Sequence, residues 1–94
     1  MSFSRTTIVE FNSEKDADEG LTDYSKNAAS EFPEAEILLA FRTRHTSAVA
    51  VSVYPEEETA KNATVTRIAS MEKSAHWRKS TEIHQGDVTL KVIR

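Results

Sequence analysis

The pattern of hydrophobic and polar residues changes its period several times along the chain. In four short stretches apolar and polar residues alternate, which is typical of strands with one buried face. The alternating stretches are residues 6–11, 36–44, 47–54 and 87–93. Between the first two, and again before the last, the apolar residues recur every three or four positions, which predicts two helices.

The first predicted helix spans about residues 13–32. Its apolar stripe consists of Ala17, Leu21, Tyr24, Ala28 and Phe32. Asn12 and Ser13 provide an N-cap, and Pro33 ends the helix. The second predicted helix begins near Pro55, is followed at once by three acidic residues, and runs to about His76. Its apolar members are Ala60, Val65, Ile68, Ala69, Met71 and Ala75.

The order strand, helix, strand, strand, helix, strand predicts an α+β fold of the ferredoxin-like βαββαβ type. In this fold a four-stranded antiparallel sheet carries both helices on one face, because right-handed crossovers favour that arrangement. A chain of 94 residues is the size of one domain, so we expect a single ferredoxin-like domain over residues 1–94.

The alternation also predicts which residues face the helices. We expect the helix-covered face to carry Val9, Phe11, Ile37, Leu39, Phe41, Val49, Val51, Val53, Val88, Leu90 and Val92. The opposite, open face would then carry Ile8, Glu10, Leu38, Ala40, Arg42, Ala48, Ala50, Tyr54, Lys91 and Ile93. Such a mixed face is too apolar to remain in water, so we expect a second copy of the chain to cover it.

The order of elements, the chain length and the hairpin ending in "VYP" before an acidic helix resemble the dimeric α+β barrel superfamily. Within it the chain is most similar to antibiotic-biosynthesis-monooxygenase-like domains. The resemblance implies a homodimer with two sheets packed face to face, and a cavity between each sheet and its helices or across the pair. Cofactor-free oxygenases of this superfamily hold an activated aromatic substrate in a dry pocket.

Five residues are candidates for ligand binding: Arg42, Tyr54, Trp77, Glu10 and Lys91. Arg42 would hold an acid or enolate oxygen and Tyr54 would donate a hydrogen bond; alternatively Arg42 pairs with Glu10 or Glu36 and Tyr54 only packs. Trp77 lies on the outer side of the predicted second helix. It therefore caps the end of the core, enters a dimer contact, or stacks on a ligand.

The composition bears on cofactors and partners. The chain has no cysteine, three scattered histidines, a net charge of −3 and no long apolar segment. We therefore expect no metal, no cofactor, no nucleic acid and no membrane as partner, and a cytoplasmic location. Haem-degrading relatives would call for Asn12, Trp77 and His76 or His84, but the order and spacing differ here.

These observations predict a small dimeric ligand-binding or accessory domain. The alternative is a cofactor-independent monooxygenase-like enzyme that acts on a small aromatic or polyketide-like molecule. A closed, mainly apolar cavity between the open sheet face and Trp77, with Arg42 and Tyr54 pointing inward, would favour the enzyme.

Overall fold

The computed structural model describes all 94 residues, which form one four-stranded antiparallel sheet and three α-helices. The elements are β1 (Phe3–Phe11), α1 (Glu14–Glu31), β2 (Ile37–Arg44), β3 (Ser47–Tyr54), α2 (Glu57–Asn62), α3 (Thr64–Lys73), a 3₁₀ turn (Ala75–Trp77) and β4 (Arg78–Asp87). The strands lie in the order β2-β3-β1-β4, and the helices cover one face. The predicted ferredoxin-like βαββαβ fold is therefore confirmed, with the second helix divided at Ala63.

The start of α1 follows the predicted capping pattern. The Ser13 side chain accepts a hydrogen bond from the Asp16 backbone N–H at 3.0 Å, which satisfies one of the free donors of the first turn. Gly20, inside this helix, allows α1 to approach the sheet closely. A Cβ atom at Gly20 would lie 2.8 Å from Cε1 of Phe11, so only glycine fits without displacing the ring.

The last strand was predicted in the wrong place. β4 ends at Asp87, where the predicted strand over residues 87–93 begins. β4 pairs along β1, with Ile83 opposite Thr7, and its sequence is almost entirely polar. An exposed edge strand needs no apolar alternation, because its stability comes from backbone pairing, so the pattern did not indicate it.

The segment after β4 has no regular structure, although it alternates like a strand. Its Val88 N–H donates to the Ser2 carbonyl at 2.8 Å, which ties the segment to the residue before β1. Farther along, the Lys91 ammonium contacts Ser2 and the Glu36 carboxylate next to β2. The segment thus crosses from the β4 edge towards the β2 edge at one end of the sheet.

The predicted faces of β2 and β3 are reversed. Residues that lie directly opposite one another share a face, and Phe41, Val49 and Ile8 form one such row across three strands. Leu39, Val51 and Thr6 form the next row. The alanines at positions 40, 48 and 50, and Tyr54, face the helices instead. Only the β1 assignment was correct, with Val9 and Phe11 inward and Ile8 outward.

The second helical region is also rotated relative to the prediction. Val65 and Ile68, expected in the core, are 78% and 49% exposed. The positions turned towards the sheet and the cavity beneath it are mainly small or polar: Ala60, Ala63, Thr64, Arg67, Ser70, Met71 and Ser74. The inward-facing residues do recur every three or four positions, as in a helix packed against a sheet. They are, however, less hydrophobic than the predicted stripe that contains Val65 and Ile68.

The buried core is divided into two small clusters. One consists of Phe32, Tyr54, Ala60 and Ala63, and the other of Phe11, Ala17 and Ala48. Side chains of both clusters line a cavity between the sheet and the helices. This division of the core is the structural basis of the candidate site.

Candidate functional site

The cavity between the sheet and the helices is the main candidate site. Its wall is formed by β1, β2, β3, α1, α3 and the turn after α3, and most of the lining residues are hydrophobic. The space open to the centres of water molecules is about 130 Å³. One water needs roughly 10–15 Å³ of such space, so the cavity has room for a small organic molecule.

Small side chains on the sheet create this space. Ala40, Ala48 and Ala50 line the floor of the cavity on β2 and β3, where larger residues would fill it. Leu21 and Met71 contribute to the walls from α1 and α3. Protein interiors are normally packed without voids of this size, so a persistent apolar space is typical of a ligand site.

Aromatic side chains with polar groups also line the cavity. Tyr54 and Tyr24 are among them, and burial raises the pKa of the Tyr24 hydroxyl, with a smaller contribution from Tyr54. The Tyr24 hydroxyl is therefore a neutral hydrogen-bonding group near pH 7. Trp77 lines the cavity as well, and its indole Nε1–H donates to the Glu19 carboxylate at 3.1 Å.

The position of Trp77 follows from the end of α3. The helix stops at Lys73, and the 3₁₀ turn brings the indole back over Phe11 and Ala17. The Asn12 backbone N–H donates to the Trp77 carbonyl, and the Asn12 side chain donates to the His76 carbonyl, both at 3.0 Å. Of the three alternatives for Trp77, the cap over the end of the core therefore describes its contacts, and the same ring borders the cavity.

The cavity wall also contains three arginines and no aspartate, glutamate or histidine. Arg5, on β1, is only 6% exposed. Its guanidinium donates to the Gln85 side-chain oxygen at 3.3 Å and to the Ala60 carbonyl at 3.0 Å. The guanidinium also lies 5.9 Å from the centre of the Tyr54 ring. All of these partners are neutral, so the buried charge has no carboxylate beside it.

The other two arginines come from α3 and the start of β4. Burial lowers the pKa of the Arg67 guanidinium from its ordinary value, and the charge of Arg5 lowers it further. Burial also lowers the pKa of Arg78, which donates to the Ser74 hydroxyl and to the Met71 carbonyl. Both pKa values are lowered because it costs free energy to hold a positive charge away from water without an opposite charge nearby.

Two guanidinium nitrogens at this site have no hydrogen-bond partner. They are Nη1 of Arg5 and Nη2 of Arg67, and both are buried. Buried donors are nearly always paired in folded proteins, and a donor on a charged group is costly to leave free. The two unpaired donors, together with the missing carboxylate, make this part of the cavity wall strongly electropositive.

The structure brings together only two of the five predicted ligand-binding residues. Tyr54 and Trp77 line the cavity, whereas Arg42, Glu10 and Lys91 are not part of its wall. Arg42 faces the helices but reaches α1, where it pairs with Asp18 at 2.6 Å. Its expected partners, Glu10 and Glu36, are engaged elsewhere.

Glu10 and Lys91 lie outside the cavity wall, Glu10 on the open face of β1 and Lys91 in the segment after β4. The Glu10 carboxylate accepts hydrogen bonds from the Ser47 and Thr46 hydroxyls, which lower its pKa below the ordinary value. Lys91 forms an ion pair with Glu36 in the segment after β4. Both residues therefore have structural partners of their own.

Sequence reasoning missed the arginines at positions 5 and 67, although a signal for one of them was present. Arg5 has the same parity on β1 as Val9 and Phe11, so extending the predicted strand by one residue towards the N-terminus places a charge on the buried face. Arg67 was missed because the helix was centred on Ile68, its neighbour. A charged residue in phase with a core stripe is a useful sign of a binding cavity.

Two further findings concern the whole chain. No group of three His, Cys, Asp or Glu side chains lies close enough together to hold a metal ion. None of the helices combines the length and hydrophobicity needed to cross a membrane.

No protein-family model and no curated protein matches the sequence. Solved structures do match. A dimeric ferredoxin-like protein from an uncultured marine organism has a TM-score of 0.79 at 15% identity, over 99% of this chain and 92% of its own. A proposed antibiotic biosynthesis monooxygenase from Nitrosomonas europaea has a TM-score of 0.80 at 9% identity, over 94% of this chain and 90% of its own. SnoaB, a cofactor-independent oxygenase from Streptomyces nogalater, has a TM-score of 0.74 at 11% identity, over 99% of this chain and 98% of its own. At such identities the likeness is one of fold, and the chain therefore has the ferredoxin-like fold of the dimeric ferredoxin-like and antibiotic-biosynthesis-monooxygenase-like proteins.

Proposed function

We propose that the protein is a homodimeric, single-domain binding protein, spanning residues 1–94, that holds a small aromatic molecule between its sheet and its helices. The observation that carries this proposal is the cavity that separates the two core clusters. Alanines of the sheet, Tyr54 and Trp77 all line it. Apolar walls with a few polar groups suit an aromatic ring system.

The open face of the sheet supports the homodimer. Ile8, Leu39 and Phe41 are 39%, 54% and 49% exposed, and Val49 lies between two of them in one row. An apolar surface that extends over three adjacent strands is a typical protein contact, and a second copy is the simplest partner. The marine ferredoxin-like protein with a matching fold is described as dimeric.

The ligand proposal can be tested by filling the cavity. In Ala50→Phe a benzyl group projects from β3 into the space, whereas the matched control Ala69→Phe adds the same group on the exposed side of α3. We expect wild type and the control to bind at least one of 2-naphthoate and 2-naphthamide in isothermal titration calorimetry. The Ala50→Phe variant, checked for folding by circular dichroism, should lose that binding.

Two results would contradict the ligand proposal. One is that neither compound binds wild type at millimolar concentration. The other is that Ala50→Phe binds as tightly as Ala69→Phe, which would place the ligand elsewhere on the molecule. A cytoplasmic location is also part of the proposal, and cell fractionation with a specific antibody would test it.

Cofactor-independent oxygenation is the second candidate, favoured because Trp77, Tyr54 and arginines share one cavity wall. In such a reaction an activated aromatic CH₂ group and O₂ give a carbonyl group and water, so the substrate supplies the electrons. Arginines would stabilise the enolate that forms when the CH₂ group loses a proton. The cavity wall offers no carboxylate or imidazole to accept that proton, which makes binding the better supported function.

The two functions differ in oxygen consumption. With 1,8-dihydroxyanthrone as probe, an oxygenase would consume one O₂ per molecule of anthraquinone formed, and Ala50→Phe would abolish the reaction. A pure binding protein would leave the rate at that of the buffer. Oxygen-electrode traces combined with the absorbance of the quinone distinguish the two results.

A further inference from the structure

We infer that the molecule bound in this cavity is an aromatic acid, whose negatively charged oxygen group is held by the guanidinium groups of Arg5 and Arg67. This inference deepens the proposed function and rests on it, because it concerns the same cavity. The proposed function depends on the shape and apolar walls of the cavity. The inference that the ligand is an acid depends on the charged residues of the cavity wall.

The charges of the cavity wall are all of one sign. Arg5, Arg67 and Arg78 line it, and no acidic residue does. In a medium of low dielectric constant, positive charges repel one another and are poorly compensated by neutral hydrogen-bond acceptors. An anion placed among them would reverse this cost, since it would attract all three groups.

The hydrogen-bonding capacity of these arginines is also incompletely used. Nη1 of Arg5 and Nη2 of Arg67 each keep a buried donor without an acceptor. The guanidinium plane offers donors in a geometry that matches two oxygens of one carboxylate. A carboxylate or a phenolate bound in the cavity could therefore accept hydrogen bonds from both of these unused donors.

The apolar part of the cavity defines the rest of the ligand. The rest of the cavity wall is mainly apolar and includes Leu21, Met71 and the alanines of the sheet. An inorganic anion would leave these side chains without a partner, whereas an aromatic body would cover them. The combination of arginine side chains and an apolar lining indicates an aromatic acid rather than phosphate.

Arg5 and Arg67 also border a second cleft, which contains Glu57 and Lys61. The Glu57 carboxylate lies 3.7 Å from the Lys61 ammonium, so its charge is already paired in an exposed position. The cleft therefore supplies no unpaired anion for the two arginines.

The test compares two ligands of nearly equal shape in three proteins. 2-Naphthoate carries a carboxylate, and 2-naphthamide replaces it by a neutral amide. The proteins are wild type, Arg67→Met and the control Arg42→Met, which removes an equal charge outside the cavity wall. Calorimetric titrations at pH 7.5 and low ionic strength give the six dissociation constants, and inorganic phosphate serves as a third ligand.

We expect wild type to prefer 2-naphthoate over 2-naphthamide by roughly 10- to 100-fold, the usual effect of hydrogen bonds to a charged group. The Arg67→Met variant should lose most of this preference while its affinity for 2-naphthamide changes by less than about 3-fold. Arg42→Met should behave like wild type. The thermal midpoint of Arg67→Met should equal or exceed that of wild type, because the variant removes a half-buried charge whose Nη2 donor has no partner.

Equal affinity of wild type for both ligands would overturn the inference and leave the proposed function standing. Phosphate binding as tight as that of 2-naphthoate would also overturn the inference. The same holds if Arg67→Met loses affinity for both aromatic ligands equally and has a lowered thermal midpoint. The last result would mean that Arg67 has a structural role. Absence of binding by either aromatic ligand would overturn the proposed function and the inference together.

Discussion

Replacing Phe41 by glutamate should dissociate the proposed homodimer. Phe41 lies in the middle of the open face, in one row with Val49 and Ile8, and 49% of it is exposed. An aromatic side chain buries 150–250 Å² when fully covered, so about 100 Å² remains for a partner to cover. At roughly 25 cal/mol per Å² this gives about 2.5 kcal/mol per copy, or about 5 kcal/mol for two symmetric copies.

The measured effect should be smaller than this sum but still large. Association costs consume part of the gain from buried area, so we expect the dimer to weaken by at least ~100-fold, or about 2.7 kcal/mol. The two new carboxylates would also approach each other across a two-fold axis. Sedimentation equilibrium at micromolar concentration should show a wild-type dimer and a monomeric, folded Phe41→Glu variant.

The controls for this experiment are two other apolar positions. Val65 is exposed on α3, and Val65→Glu should leave the dimer intact if the contact uses the sheet. Ala50→Phe changes the cavity rather than the open face and should also remain dimeric. A monomeric wild type, a dimeric Phe41→Glu variant, or dissociation of Val65→Glu instead would each show that the open face is not the dimer contact.

Three further predictions concern stability, each measured by urea denaturation. Phe11→Ala should lower the free energy of unfolding by about 3–5 kcal/mol, because the ring packs between the sheet and α1. The control Lys26→Ala, on the exposed side of α1, should change the free energy of unfolding by less than about 0.5 kcal/mol. Similar losses in the two variants would mean that α1 is misplaced. Gly20→Ala should destabilise by about 1 kcal/mol, because the clash with Phe11 exceeds the gain in helix propensity, and a more stable variant would contradict that close approach. Glu10→Gln should be less stable than wild type at neutral pH. Hydrogen bonds lower the pKa of Glu10 below its unfolded value of 4.5. The stability difference between wild type and Glu10→Gln should therefore be fully present above pH 4.5 and should vanish as the pH falls through the folded-state pKa. A stability difference that persists at lower pH would rule out this linkage.

The order of the elements could be predicted because it depends on local patterns. The helical repeat and caps of α1, and the alternation in β2 and β3, are properties of short segments. The faces of β2 and β3 could not be predicted in the same way. Alternation shows that two sides differ, but valines and phenylalanine are turned away from the helices here, and alanines towards them.

The candidate site was only partly visible in the sequence for the same reason. Tyr54 was predicted from the resemblance to cofactor-free oxygenases, and Trp77 from its position on the outer side of the predicted second helix. Arg5 was missed because a buried arginine contradicts the expectation that charges face water, and Arg67 because the predicted helix was centred on Ile68. Their positions depend on how the helices lie over the sheet, which is a long-range property.

Locating the bound ligand would test directly whether an aromatic molecule binds between the sheet and the helices. Titration of ¹⁵N-labelled protein with 2-naphthoate can be followed by two-dimensional NMR, in which the indole N–H of Trp77, the only tryptophan, gives a separate signal. We predict the largest shift changes at Trp77, Tyr24 and Ser70, all of which line the cavity. Changes confined to Leu39 and Phe41 on the open face, with the Trp77 indole unmoved at saturation, would contradict the account.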